Sequence, residues 1–248
     1  MPPHPRHVVW FSCGVPSACL AKIVVDSKPG EVVVAYCDTS KDEHPDNRRF
    51  MRDVKFWIDH PITVLRSEKF QTVEEVADAR SYMAGIAGAP CTVELKKVPR
   101  FKFQRADDIH YFGLTADEWK RIERFEKNNP DLSLRWPLRD KDMTRERCEG
   151  MVIDSGIALP AMYELGYKNN NCIGCVKATS SAYWIRIRRD FPEQFATRAA
   201  QSRRLGARLV QLSGKRIFLD ELPPEPPMLP FVTENISCGP ECADGGEA

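Results

Sequence analysis

Residues 7–18, HVVWFSCGVPSA, decide the fold. Val8, Val9, Trp10 and Phe11 form an apolar run of strand length with no polar alternation, the pattern of a strand covered on both faces. The run breaks into Ser12, Cys13, Gly14, Val15, Pro16 and Ser17. Proline is preorganised for the first turn of a helix, where its missing N–H is not needed. A strand that turns directly into a helix aims unpaired N–H groups and the helix dipole at one point, which suits a phosphate or sulfate. Ser12, Gly14 and Ser17 are therefore the candidate anion-binding residues. An ordinary tight turn uses the same residue types, and the lysine of a Gly-x-x-x-x-Gly-Lys-Ser/Thr loop is absent.

Working outward, residues 31–37 (EVVVAYC), 62–67 (ITVLRS) and 108–114 (DIHYFGL) read as further strands, with 134–138 as a fifth. Between them the spacing is helical: Phe50, Val54, Trp57 and Ile58 fall on one face. Thr72 with Glu75, and Thr115 with Glu118, read as capping boxes. Strand and helix in alternation imply an α/β fold, a parallel five-stranded sheet with helices on both faces. Asp38 and Thr39 end the second strand. An acid there faces the ligand crevice of such a sheet, or serves as a turn or capping residue. The second half is an α-rich C-terminal extension. Residues 144–156 read as a helix stopped by glycine, 180–205 as helices interrupted at Pro192, and 209–219 as a hairpin around Ser213 and Gly214. Pro223, Pro224, Pro226, Pro227 and Pro230 then form a linker to an acidic tail.

The chain has 248 residues, a net charge of +1 and 42% hydrophobic residues, which suits a globular protein and argues against a uniformly basic coat. No apolar run is long enough to span a membrane and no secretory signal is visible, so a cytoplasmic protein without membrane partners is expected. In that setting nine cysteines point to metal binding or thiol chemistry rather than a disulfide framework. Cys172 and Cys175 form a C-x-x-C, a metal site or a redox dithiol. Cys13, Cys19 and Cys37 lie in or beside apolar runs and read as small core residues. Residues 184–216 carry nine basic and two acidic residues, while the chain from Ile217 onward carries seven acidic and none basic. This is a solvated helix face followed by a solubilising tail, or an anion-binding surface able to meet a nucleic acid.

The order of several motifs resembles the PP-loop superfamily of adenine-nucleotide enzymes. Ser12-x-Gly14-x-x-Ser17 closes the first strand and Asp38-Thr39 the second. Tyr111-Phe112-Gly113-Leu114, Trp136-Pro137-Leu138 and residues 159–167 (LPAMYELGY) follow in order. Within the superfamily these are similar to the adenylyl-sulfate and phosphoadenylyl-sulfate (PAPS) reductase family, over residues 8–177. The resemblance implies an adenine nucleotide alpha-hydrolase-like fold. Residues 1–178 would be the nucleotide-binding domain, 179–222 a basic extension of it, and 223–248 a Pro-rich linker and cysteine-bearing tail. It implies an adenine nucleotide as substrate, held by Ser12, Gly14, Ser17, Asp38, Thr39 and Lys96, with Lys97 and Arg100 nearby. Cluster-containing relatives place a cysteine pair upstream of a C-x-x-C. Here Cys91 precedes Cys172 by 81 positions, with Thr92 in the neighbouring place. A [4Fe–4S] cluster on Cys91, Cys172 and Cys175 is implied, with Cys148 as the candidate fourth ligand or one iron left open; zinc is the alternative.

The family's tail cysteine attacks the sulfur of the bound nucleotide and is reduced afterwards by a thiol donor such as thioredoxin. Cys238, followed by Gly239, stands in that place, although the flanking Glu and His are missing and Cys242 is added. A PAPS reductase-like enzyme is therefore the leading expectation. Next comes an ATP pyrophosphatase/sulfurtransferase that thiolates a nucleic acid or metabolite. Such enzymes usually carry Asp where this chain has Pro16. A non-catalytic, metal-stabilised nucleotide-binding protein is the third.

Overall fold

The computed structural model describes residues 4–224 and Ile236. Cys238 and Cys242 lie outside the described residues. Five strands, β1 (His7–Phe11), β2 (Val32–Cys37), β3 (Ile62–Leu65), β4 (Ile109–Phe112) and β5 (Ser133–Arg135), pair in parallel in the order β3-β2-β1-β4-β5. In the central strand, His7 stands opposite Val32 on one side and Ile109 on the other. The fifth strand ends two residues short of Pro137, which has no N–H for a ladder and instead opens a helix.

The helices are α1 (Val15–Ser27), α2 (Asn47–Ile58), α3 (Val73–Arg80), α4 (Pro90–Thr92), α5 (Val98–Phe103), α6 (Trp119–Asn128), α7 (Pro137–Asp140), α8 (Arg145–Asp154), α9 (Ala161–Glu164), α10 (Ser181–Asp190) and α11 (Pro192–Arg204). A π turn, Val93–Lys97, joins α4 to α5 just before Pro99, whose ring would obstruct regular α-helical bonding there. Both capping boxes are present, Thr72 with Glu75 and Thr115 with Glu118. The hairpin of β6 (Val210–Leu212) and β7 (Lys215–Ile217) turns through Ser213 and Gly214, both at positive φ.

Alternate residues of β1 feed opposite cores, which is why its sequence shows no polar alternation. Val9 and Phe11 pack with α1, α2 and α8, whereas Val8 and Trp10 pack with Phe112, Ile122, Phe125 and Trp136. A third core unites residues from α3, the segments around Cys91 and Cys172, and the extension from Tyr183 to Leu222. The extension therefore shares its apolar core with the cysteine-bearing segments. Cys13, Cys19 and Cys37 are buried, as expected of small core residues. Among the described residues no helix is long and apolar enough to cross a membrane.

The strand order reverses beside β1, since β2 lies to one side and β4 to the other. In open parallel sheets that switch point, outside the carboxyl ends of the strands, is where ligands bind.

Candidate functional site

At this switch point β1 ends in Ser12, and the chain turns through Cys13 at φ 59 into Gly14, the N-cap of α1. Gly14 has no side chain with which to cap the helix, Pro16 has no N–H, and the Val15 amide is taken by Tyr163. Ser17 ties the turn together: its hydroxyl donates to the Gly14 carbonyl at 2.8 Å and accepts from the Ser12 amide at 3.1 Å. The Ser12 hydroxyl lies 3.2 Å from the same oxygen. Tyr163 of α9 accepts from the Val15 amide, and burial pushes its phenol up to about 12. Its hydroxyl is thus protonated at neutral pH and is a donor beside the loop.

A cavity of about 80 Å³ opens on this turn, lined by Ser12, Gly14, Ser17, Gly113 and Tyr163 together with Lys96, Arg121 and Arg145. Glu43 and Glu118 also line it. Both carboxylates are already engaged by the protein: Glu118 accepts from Thr115 and Arg121, and Glu43 from Tyr36, Thr39 and Asn47. The π turn presents Lys96, which is buried. Arg145 is braced by Asn169 at 3.0 Å and by the Lys168 carbonyl. A cationic wall facing a helix N-terminus favours an anion. Glu43 also lines an adjoining cavity of about 540 Å³, bordered by Tyr36, His44, Arg48, Ile173 and Arg198.

The structure therefore brings Ser12, Gly14, Ser17 and Lys96 together. Asp38 and Thr39 line neither of these two cavities. Asp38 accepts from the Ser40 amide at 3.0 Å and pairs with Arg66 at 2.9 Å, the behaviour of a turn acid. Thr39 is buried and donates to Glu43.

Cys91, Cys172 and Cys175 are buried in one apolar cluster with Tyr183, whose hydroxyl accepts from the Cys175 amide at 2.9 Å. Cys148 is placed apart from these three. It lies in a different core, on α8 against α1, where the Cys19 thiol donates to its carbonyl at 3.2 Å. Soft, buried thiols suit iron–sulfur or zinc in chemistry. Yet among the described residues no three His, Cys, Asp or Glu side chains are drawn together as a metal-holding group. A four-cysteine site built with Cys148 does not fit.

Of the cations in the basic stretch 184–216 only Arg198 is buried, and several of the others are tied to the protein's own acceptors. Arg198 pairs with Asp42 at 2.8 Å in a buried ion pair, Arg203 with Asp220 and Glu221, and Arg204 with Asp78. Arg186, Arg188 and Arg216 donate to the carbonyls of Leu165, Leu222 and Leu209. These cations brace the extension.

Sequence reasoning missed Arg121, Arg145, Tyr163, Glu43 and the run Asn169, Asn170 and Asn171. Tyr163 stands inside the quoted run 159–167 and the triple asparagine immediately before Cys172; the others carry no visible signal. Asn171 donates to the carbonyl of Ile236 at 2.8 Å, which seats that tail residue at the cavity rim and beside Cys172.

No protein-family model matches the chain. The uncharacterized nin region protein ORF290 of Escherichia phage lambda is 29% identical over 205 residues, covering 70% of this chain and 67% of the relative. Among solved structures, the phosphate complex of the PAPS reductase from Candida auris aligns with a TM-score of 0.49 at 13% identity, covering 68% of this chain and 81% of that one.

Proposed function

We propose that the chain is an adenine-nucleotide-binding enzyme of sulfur chemistry, acting as a PAPS reductase-like oxidoreductase. The observation that carries this reading is the convergence of the α1 N-terminus, Ser12, Ser17, Lys96 and Arg145 on one small cavity at the strand-order switch. A cavity of about 80 Å³ suits a phosphate or sulfate group, and the adjoining one of about 540 Å³ is of a size for the nucleoside. The family-like order of motifs points the same way.

In this reading the loop amides and the cations hold the anionic end of a sulfonucleotide. The Cys238 thiolate attacks its sulfur. An S–S bond forms, the sulfur–oxygen bond to the phosphate breaks, and the nucleotide leaves with that electron pair. An external dithiol donor then releases sulfite and is itself oxidised to a disulfide. The anchoring of Ile236, two positions before Cys238, supports a tail that works beside the cavity.

The second reading is ATP-dependent sulfur transfer, favoured by the burial of Cys91, Cys172 and Cys175 in one apolar core. Those three thiols are the residues that would hold an iron–sulfur group or zinc. Incubation with ATP, adenylyl sulfate and PAPS separately, with sulfite and pyrophosphate measured, tests both. Sulfite from a sulfonucleotide, abolished by Cys238→Ser, supports the reductase. Pyrophosphate from ATP supports sulfur transfer. Binding without either product leaves a non-catalytic nucleotide-binding protein.

A further inference from the structure

The turn that opens the anion site contains a backbone conformation that its own residue disfavours. Cys13 sits at φ 59, in the left-handed region that residues with a β-carbon seldom occupy. Its side chain is wholly buried and makes no contact special to that conformation beyond a thiol donating to the Asn47 carbonyl at 3.4 Å. The restraint comes from a distant loop. Asn170 donates from Nδ2 to the Cys13 carbonyl at 2.8 Å, and from the same nitrogen to Asn47 Oδ1 at 2.8 Å. Asn47 in turn donates to Glu43 at 2.9 Å, and Glu43 also accepts from Tyr36 at 2.8 Å.

The direction of this chain is fixed by its two ends. A carbonyl oxygen only accepts, and so does an ionised carboxylate, so neither amide can flip without losing a bond. Both Nδ2 protons of Asn170 are engaged. The residue is buried, which makes its hold on Cys13 shielded from competing water.

We infer that Asn170 is a positioning residue for the anion site: it clamps Cys13 in the left-handed turn, so that Gly14 and the first amides of α1 converge on the ligand. The inference rests on the nucleotide-binding reading above. It assigns to the loop before Cys172 a direct role in shaping a turn 157 positions earlier.

The clamp predicts a rescue that a general packing role does not. Glycine adopts the left-handed conformation freely. Cys13→Gly should therefore restore what loss of the clamp removes, whereas Cys13→Ala, which also deletes the thiol, should not. The experiment measures adenosine 5′-monophosphate affinity by calorimetry on the full chain, with folding checked by circular dichroism. Asn170→Ala is expected to weaken binding about tenfold. Adding Cys13→Gly should recover most of that loss, and adding Cys13→Ala none of it. If Asn170→Ala alone does not fold, Asn170→Ser carries the same comparison, because its hydroxyl is too short to reach the carbonyl. Unchanged affinity in Asn170→Ala overturns the clamp, and so does a loss that Cys13→Gly leaves in place. Absence of nucleotide binding in the wild-type chain removes the underlying reading, and the inference with it.

Discussion

A β-carbon on Gly113 would lie 2.9 Å from the Cα of Ser17 and 3.0 Å from its amide nitrogen. The end of β4 therefore touches the backbone of the first turn of α1, and only glycine permits that approach. Gly14, which looks the more demanding residue in the sequence, is less constrained. A β-carbon there would meet only Ser12 Oγ at 3.6 Å and the Tyr163 hydroxyl at 3.8 Å, both ordinary contacts.

The two glycines should accordingly respond differently. Gly113→Ala must displace α1 or β4, costing about 1–3 kcal/mol as overpacking does, and should lose nucleotide affinity as the helix amides shift. Gly14→Ala should bind nearly as wild type and unfold at a similar denaturant concentration. Urea melts and calorimetry on both variants check this; an intact Gly113→Ala site would show that the β4–α1 contact does not shape it.

The cations should matter unequally to salt. Lys96 is buried, so a charge-assisted bond from it to a bound phosphate is little screened. Lys96→Gln should weaken adenosine 5′-monophosphate by roughly tenfold or more, as loss of a bond of about 1.5–3 kcal/mol implies. That loss should persist at high ionic strength. A variant that binds as wild type would place the anion elsewhere.

Much of the fold was legible because its signals are local. The apolar run of β1, the proline at the start of α1 and both capping boxes follow from neighbours in sequence, and all were found where expected. The site was legible on that first turn and, through the resemblance, at Lys96. Arg121, Arg145, Tyr163 and Asn170 reach the cavity through the topology, which no spacing announces. A strand-end acid such as Asp38 looks the same in sequence whether or not it pairs, as here, with Arg66. Nor does a count of cysteines reveal that Cys148 joins one core and Cys91, Cys172 and Cys175 another.

That separation of Cys148 makes a metal prediction. In anaerobically purified protein, iron and zinc measured by mass spectrometry should be unchanged in Cys148→Ala, whose cost is a small cavity between α1 and α8. Cys91→Ser, Cys172→Ser and Cys175→Ser should each remove any bound metal. Loss of metal in Cys148→Ala with the fold intact would return that cysteine to the ligand set.

The last prediction concerns pH and the core beneath the site. Trp10 donates from Nε1 to His110 Nδ1 at 3.1 Å, so the imidazole must be neutral, with its proton on Nε2. Burial lowers the His110 pKa to about 4, well below the usual imidazole value of about 6.5; the positive charges of Arg100 and Arg6 act in the same direction, and Asp108 opposes them. The unfolded chain therefore binds a proton more readily than the folded one. Stability from this group is fully present above about pH 6.5 and is lost as the pH falls towards 4. Between about pH 7 and 4.5 the wild type should lose on the order of 2–3 kcal/mol through His110 alone. Carboxylates and His7 titrate in the same interval, so the informative quantity is a difference between proteins. His110→Gln keeps an acceptor for Trp10 but cannot take up the proton, and its stability should fall less steeply by that amount. Urea denaturation at a series of pH values measures both slopes. Parallel slopes would mean that the ring is protonated equally in the folded and unfolded chain, which the Trp10 bond forbids.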